Sequence, residues 1–224
     1  MSLSPSSARA VQPQLQNSAK IKAADLEQLA KKGQVLKIAR MGHPILAQKA
    51  VNVAPRSEEA KQIMADIAAT VLDFGALQGV AVPQLHMSKR VVYYQVREAK
   101  VDSATSGELP GRFLINAKYE NVGDETYEDW EACLSLPDLV GLVPRHKKIQ
   151  LKAICSDGVN FEEVDEILEG HHARVLAHEI DHLDGILYPQ RMQDFSKFGY
   201  QDEMLRYFVQ QREKKAADKA RATL

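Results

Sequence analysis

His178-Glu179-Ile180-Asp181-His182 lies in a segment that reads as helix from near Gly170 to Gly185, and its spacing decides what that helix can hold. An α-helix turns once in about 3.6 residues, so histidines four apart stand one above the other on one face. Two imidazoles placed in this way can converge on one metal ion. Glu179 directly follows the first histidine, a position suited to a base acting on metal-bound water rather than to a third ligand. The longer pattern HExxHxxGxxH is followed as far as Gly185, but Tyr188 stands where its third histidine would be. Glu203 and Glu213, further along, sit in no convincing second motif. Upstream, Glu131-Ala132-Cys133-Leu134-Ser135 follows the single tryptophan, Trp130. Cys133 could complete a Cys-His-His set that leaves a fourth tetrahedral position open, the arrangement of a catalytic site.

With these residues in view, the chain resembles the peptide deformylase family. Gly79-Val80-Ala81-Val82-Pro83-Gln84 is similar to the family's GxGxAAxQ loop. The run from Glu131 to Ser135, continued by Leu136-Pro137, is similar to EGCLSxP, and HEIDHLDG at 178–185 is the third block. Gly42-His43-Pro44-Ile45-Leu46 looks like the early G-x-P-x-L, and Val143-Pro144-Arg145 follows the cysteine at the usual distance. The resemblance covers roughly residues 35–195.

It implies one divalent metal ion per chain held by Cys133, His178 and His182. Iron(II) is the implied native ion, with zinc(II) or another divalent ion in some preparations; donor softness does not separate the two. It also implies Glu179 as proton acceptor and donor, and the Gln84 side-chain amide and Leu134 backbone N–H as oxyanion donors. The implied reaction removes the N-formyl group from the N-terminal methionine of newly made polypeptides and releases formate. Two alternatives stand beside it: a related hydrolase acting on another small N-acylated peptide or amine, and a non-catalytic ribosome- or peptide-binding protein. The second fits poorly with a chain that retains Glu179 and every candidate ligand.

Departures from the family pattern cluster. Leu77 stands where the loop usually opens with glycine, and Ala132 replaces the glycine between Glu131 and Cys133. Val82, Ala177 and Val140 replace a common alanine, glutamine and arginine. By resemblance these positions lie along the substrate, with Gly79, Leu77 and Ala132 as candidate substrate-binding residues. Glycine permits a close backbone approach that leucine and alanine resist, so the chemistry should persist while the substrate preference shifts.

Composition agrees with one compact enzyme domain. The chain has 224 residues, 45% of them hydrophobic, enough for a substantial core. A formal net charge of −1 gives no global drive towards DNA or an anionic membrane. No apolar run approaches the roughly 18 residues of a membrane span, and two cysteines are no disulfide framework. The expected location is cytoplasmic.

Three segments are expected. Residues 1–34 form an extension, partly flexible, whose Ser- and Gln-rich start gives thin support for targeting; a short helix at 24–32 closes it before Gly33. Residues 35–195 form the catalytic domain. Its strands are expected at 35–38, 90–96, 112–120, 147–154 and 159–165, and a helix capped by Ser57 at 58–73. The predicted class is α+β: short antiparallel or mixed strands, arranged by resemblance around a central helix that bears the HExxH motif. Residues 196–224 carry a helix at about 201–217 and a basic tail, with six basic residues against two acids from Arg206 onward. Such a tail is usually a solvated surface; docking on ribosomal RNA is its functional reading. His171 and His172 are expected on the surface, and Cys155 in packing.

Overall fold

The computed structural model describes residues 19–75, 77–95, 111–204 and 206–207. Helix α1 (Ala23–Ala30) leads into an extended segment and then α2 (Glu58–Phe74). The Ser57 hydroxyl accepts the Ala60 N–H at 3.1 Å, and Glu58 and Glu59 complement the helix N-terminus. Gly75, at φ +81°, ends the helix. Strands β1 (Gly79–Ala81), β2 (Val91–Tyr94), β3 (Arg112–Cys133), β4 (Leu136–Ser156) and β5 (Phe161–Glu169) pair in that order. Strand β6 (Phe198–Tyr200) pairs with the start of β4, opposite Leu139–Gly141. Helix α3 (Gly170–Leu183) follows β5 directly.

The result is α+β with one sheet, and three expectations need correction. Every ladder between the named strands is antiparallel, so the sheet is not mixed. β3 and β4 are long, at 22 and 21 residues, and carry register shifts at Ile115/Lys118 and Val122/Thr126 that bend the hairpin. Residues 35–38 form no strand. Their extended backbone is held by side chains of α2: Gln34 N–H donates to Asp66 Oδ1 and Leu36 N–H to Thr70 Oγ1, both at 3.0 Å. The segment continues to Ala39 and Met41, whose N–H groups donate to the carbonyls of Gln84 and Ser135. The tail helix is seen only in part. Residues 201–204 and 206–207 are helical, and the rest of the expected 201–217 lies outside the described residues, as do residues 1–18.

Two apolar clusters flank the functional elements. One joins α2 to β2 and β3 through Ile63, Ile67, Val91, Phe113 and Ile115. The other packs α3, through Leu176, Ile180 and Leu183, on Leu114, Leu151 and Val164. From Ala173 to Leu183 every residue of α3 is buried, polar ones included. A helix wet on no face must pair its polar groups internally. Gly185 completes the turn after α3 at φ +74°, where a Cβ would come within 2.8 Å of the Ala47 backbone, so glycine is required there.

Candidate metal centre and substrate cleft

One helical turn places His178 beside His182, ring centroids 5.1 Å apart. Cys133 ends β3 at a break in the β3–β4 register, and its sulfur lies 3.2 Å from His182 Nε2. One ligand atom from each of Cys133, His178 and His182 lies within 4.8 Å of the others, so these three could hold a metal ion. With ligand bonds of about 2.0–2.3 Å, tetrahedral neighbours stand roughly 3.5 Å apart, so this spread fits a single ion. Glu203, the other described candidate, is exposed and pairs with Arg206; Glu213 lies outside the described residues.

His178 has only one nitrogen to offer, because its Nδ1 hydrogen-bonds Glu131 Oε2 at 2.8 Å. A carboxylate behind an imidazole fixes the tautomer and turns Nε2 outward. Glu131 is itself clamped. Arg145 donates to both of its oxygens, at 2.6 and 2.9 Å, and Arg174 donates to Oε1 at 2.7 Å. Arg145 also donates to Asp181 Oδ2 at 2.8 Å, while Asp181 receives Arg191 and the Tyr119 hydroxyl. Arg174 spans further, to the carbonyls of Tyr127 and Val143, with its guanidinium over the Tyr127 ring. Burial would raise the Glu131 pKa, but its bonds to Arg145 and His178 outweigh that and hold it at about 2. Burial likewise disfavours charge on both imidazoles. At His178 the contacts with Cys133 and Glu131 prevail and raise the pKa well above the usual value. At His182 burial, joined by His178 and Arg145, keeps it well below.

Glu179 is buried, and its Oε2 has no partner among the described residues. Burial pushes its carboxyl up to about 7, with His178 and Arg145 opposing and Glu131 assisting. A carboxylate tuned to that range can both take and return a proton near neutrality. Gly79 packs against it so closely that a Cβ would lie 2.7 Å from Glu179 Cγ and Oε1. Gln84 is fixed at both ends of its amide. Oε1 accepts the Ala81 N–H at 2.9 Å, while Nε2 lies 3.2 Å from Ser135 Oγ and 3.4 Å from Cys133 Sγ. One end of the amide thus closes the turn after β1 while the other faces the candidate ligand Cys133.

A cleft of about 1010 Å³ opens over this group. Gly79, Gln84, Cys133, Leu134, His178 and Glu179 line it, as do Leu77 and Ala132. Val140 does not: it is 8% exposed, paired with Ala132 on one side and Gly199 on the other. Val82 and Ala177 are also buried, so among the five departures only Leu77 and Ala132 reach the cleft. His171 is exposed but borders the cleft, and His172 is half-buried with Nδ1 against the Tyr94 hydroxyl; the surface expectation holds for the first alone. Tyr188, at the position of a third histidine, stacks on His178 at 6.0 Å. Its buried hydroxyl has no partner among the described residues, and burial raises its pKa.

Sequence reasoning gave no role to Arg174, Asp181 or Tyr188, and treated Glu131 and Arg145 only as letters of motifs. A signal existed for those two: a glutamate and an arginine in blocks flanking the candidate ligand, both fated for burial in β-strands.

The chain matches the sequence model described as Polypeptide deformylase over residues 35–198. Among curated proteins it is 38% identical to peptide deformylase 1 of Nitrosomonas europaea, over 75% of this chain and 93% of that one. It is 41% identical to peptide deformylase 2 of Ralstonia nicotianae, over 54% and 67%. Among solved structures, a class I type b peptide deformylase from Acinetobacter baumannii superposes with a TM-score of 0.59 at 30% identity, covering 70% of this chain and 99% of that one. The deformylase-like fold, a single sheet with mixed α and β content, is shared with these structures. By sequence model, relatives and fold together, the chain belongs to the polypeptide deformylase family.

Proposed function

We propose that this cleft hydrolyses the N-formyl group from the N-terminal methionine of newly made polypeptides, releasing formate and a free amine. One observation carries the reading. In a chain of this family, a thiol and two imidazoles converge beside a buried carboxylate and a fixed amide, at the floor of a cleft. Cys133, His178 and His182 would hold one divalent ion, iron(II) natively or zinc(II), which when bound supplies Lewis acidity to water and to the formyl oxygen. Glu179 takes a proton as water attacks the formyl carbon. It returns that proton to the departing nitrogen as the C–N bond breaks.

The Gln84 amide and the Leu134 backbone N–H donate to the developing oxyanion. Loss of one such donor typically costs about 2.7–4 kcal/mol. Gly79, Leu77 and Ala132 flank the substrate, and α3 serves as the central helix around which the sheet is arranged. A structure of the A. baumannii relative carries Met-Ala-Ser, and its 30% identity to this chain supports a peptide substrate.

The catalytic unit is assigned to 35–195, with 1–34 as an extension and 196–224 as helix and basic tail. The reading places the enzyme in the cytoplasm with no membrane or specific DNA partner. No helix among the described residues is long and apolar enough to cross a membrane. The tail would dock on ribosomal RNA through phosphate contacts that weaken with salt. A second reading, another small N-acyl substrate, draws on Leu77 and Ala132 in the cleft. Formate release from formyl-Met-Ala-Ser by the metal-loaded protein, beside acetylated and unblocked peptides, tests both. Turnover of the formyl peptide alone is expected; preference for the acetyl peptide would favour the second reading.

A further inference from the structure

The extended segment that includes 35–38, read from the sequence as a strand, lines part of the cleft with Lys37, Ile38 and Arg40. Four hydrogen bonds pin it: Gln34 and Leu36 to side chains of α2, then Ala39 to the Gln84 carbonyl at 2.7 Å and Met41 to the Ser135 carbonyl at 2.8 Å. The segment is therefore anchored to the residues that carry the candidate oxyanion donor. Lys37 and Arg40 stand on it, both exposed and both lining the cleft. Neither forms an ion pair among the described residues. Arg174, which also lines the cleft, is buried and paired with Glu131. Among the described residues, the carboxylates lining the cleft are Glu131, Glu179 and Asp138; the first two are buried, so the described rim carries two cations to one carboxylate, Asp138. The remaining rim is largely apolar, with Phe74, Leu77 and Leu139.

We infer that Lys37 and Arg40 form an outer specificity subsite that attracts an acidic side chain in the residues following the formyl-methionine. This rests on the deformylase reading of the cleft. Two cations on a pinned backbone, without an ion-pair partner among the described residues and beside apolar walls, raise the local concentration of a negatively charged peptide. Because both groups are exposed, each contact contributes the small stabilisation of a surface ion pair, screened by salt. The effect belongs in KM rather than in kcat, since the charges are on exposed side chains while the candidate reacting groups Gln84, His178 and Glu179 are buried.

The test uses formyl-Met-Ala-Asp, formyl-Met-Ala-Ser and formyl-Met-Ala-Lys, all amidated at the C-terminus to remove the free carboxylate. For the metal-loaded full chain, kcat/KM should be about three- to tenfold higher for the Asp peptide than for the Lys peptide at low salt. The ratio should fall towards one in half-molar salt and in the Lys37→Gln/Arg40→Gln double variant. Lys37→Glu should turn the preference towards the Lys peptide. Deformylated peptides of the same series, titrated against the fluorescence of Trp130 in the cleft, should bind in the same order, a readout independent of turnover. A ratio of one in the parent protein, or a preference that survives the double variant, overturns the subsite. Failure to release formate from any of the three peptides would instead count against the deformylase reading, while the binding order would still decide the subsite.

Discussion

Gly79 has no side chain because Glu179 occupies the space: a Cβ there would lie 2.7 Å from the carboxylate's Cγ and Oε1. The nearest atoms belong to a flexible side chain, so Gly79→Ala should cost little stability but displace the carboxylate. A displacement near 1 Å can cost about a hundredfold in rate. We expect a ten- to hundredfold fall in kcat with metal content and Tm close to the parent's; unchanged kcat would mean that Glu179 need not sit where it does. Glu179→Gln keeps the shape but accepts no proton. Turnover should fall by about 10²–10⁴-fold while elemental analysis finds the metal retained, and loss of the metal would make Glu179 structural. Cys133, His178, Glu179 and His182 are legible as candidates in the sequence because spacing on one helix and a single cysteine block name them. The carboxylate–arginine cluster is not, because Arg174 reaches Glu131 across 43 positions and Arg145 across 14. Such pairing leaves no local periodicity.

Between elements, Glu131 is the joint. It ties β3 to β4 through Arg145 and to α3 through both Arg174 and His178, with every partner buried. Removing one member of a buried ion network strands the others, typically at about 3–5 kcal/mol. Glu131→Gln should lie near the lower end, about 3 kcal/mol, because Arg145 keeps Asp181. Urea unfolding checks this, and a loss under about 1 kcal/mol would show that the ion network adds little to the sheet ladder and apolar packing that also join the three elements. Helix α2 can be read from its sequence since cap, periodicity and terminal glycine agree. The length of β3 and β4 cannot: residues 121–130 are mostly exposed, so no alternation of apolar and polar positions marks the strand. The segment at 35–38 has the composition of a strand but bonds to Asp66 and Thr70 instead of a neighbouring strand. Only the tertiary structure supplies that choice of partner.

At the scale of the molecule, one antiparallel sheet delivers Cys133 from its long hairpin to the two histidines of α3, with apolar clusters behind both. The three blocks of sequence, separated by roughly fifty and forty residues, meet at one point because α3 is buried from Ala173 to Leu183. The family and the α+β class can be read from those blocks. The single sheet and the part of the cleft lined by Lys37, Ile38 and Arg40 come from long-range contacts. The central claim is that one divalent ion held at that meeting point enables deformylation. Metal-stripped protein, titrated anaerobically with iron(II) while formate release from formyl-Met-Ala-Ser is followed, tests it most directly. Activity should rise linearly, saturate at one ion per chain, and stay low at every ratio in Cys133→Ala. Full activity in the stripped protein, or an unaltered titration in Cys133→Ala, would contradict it.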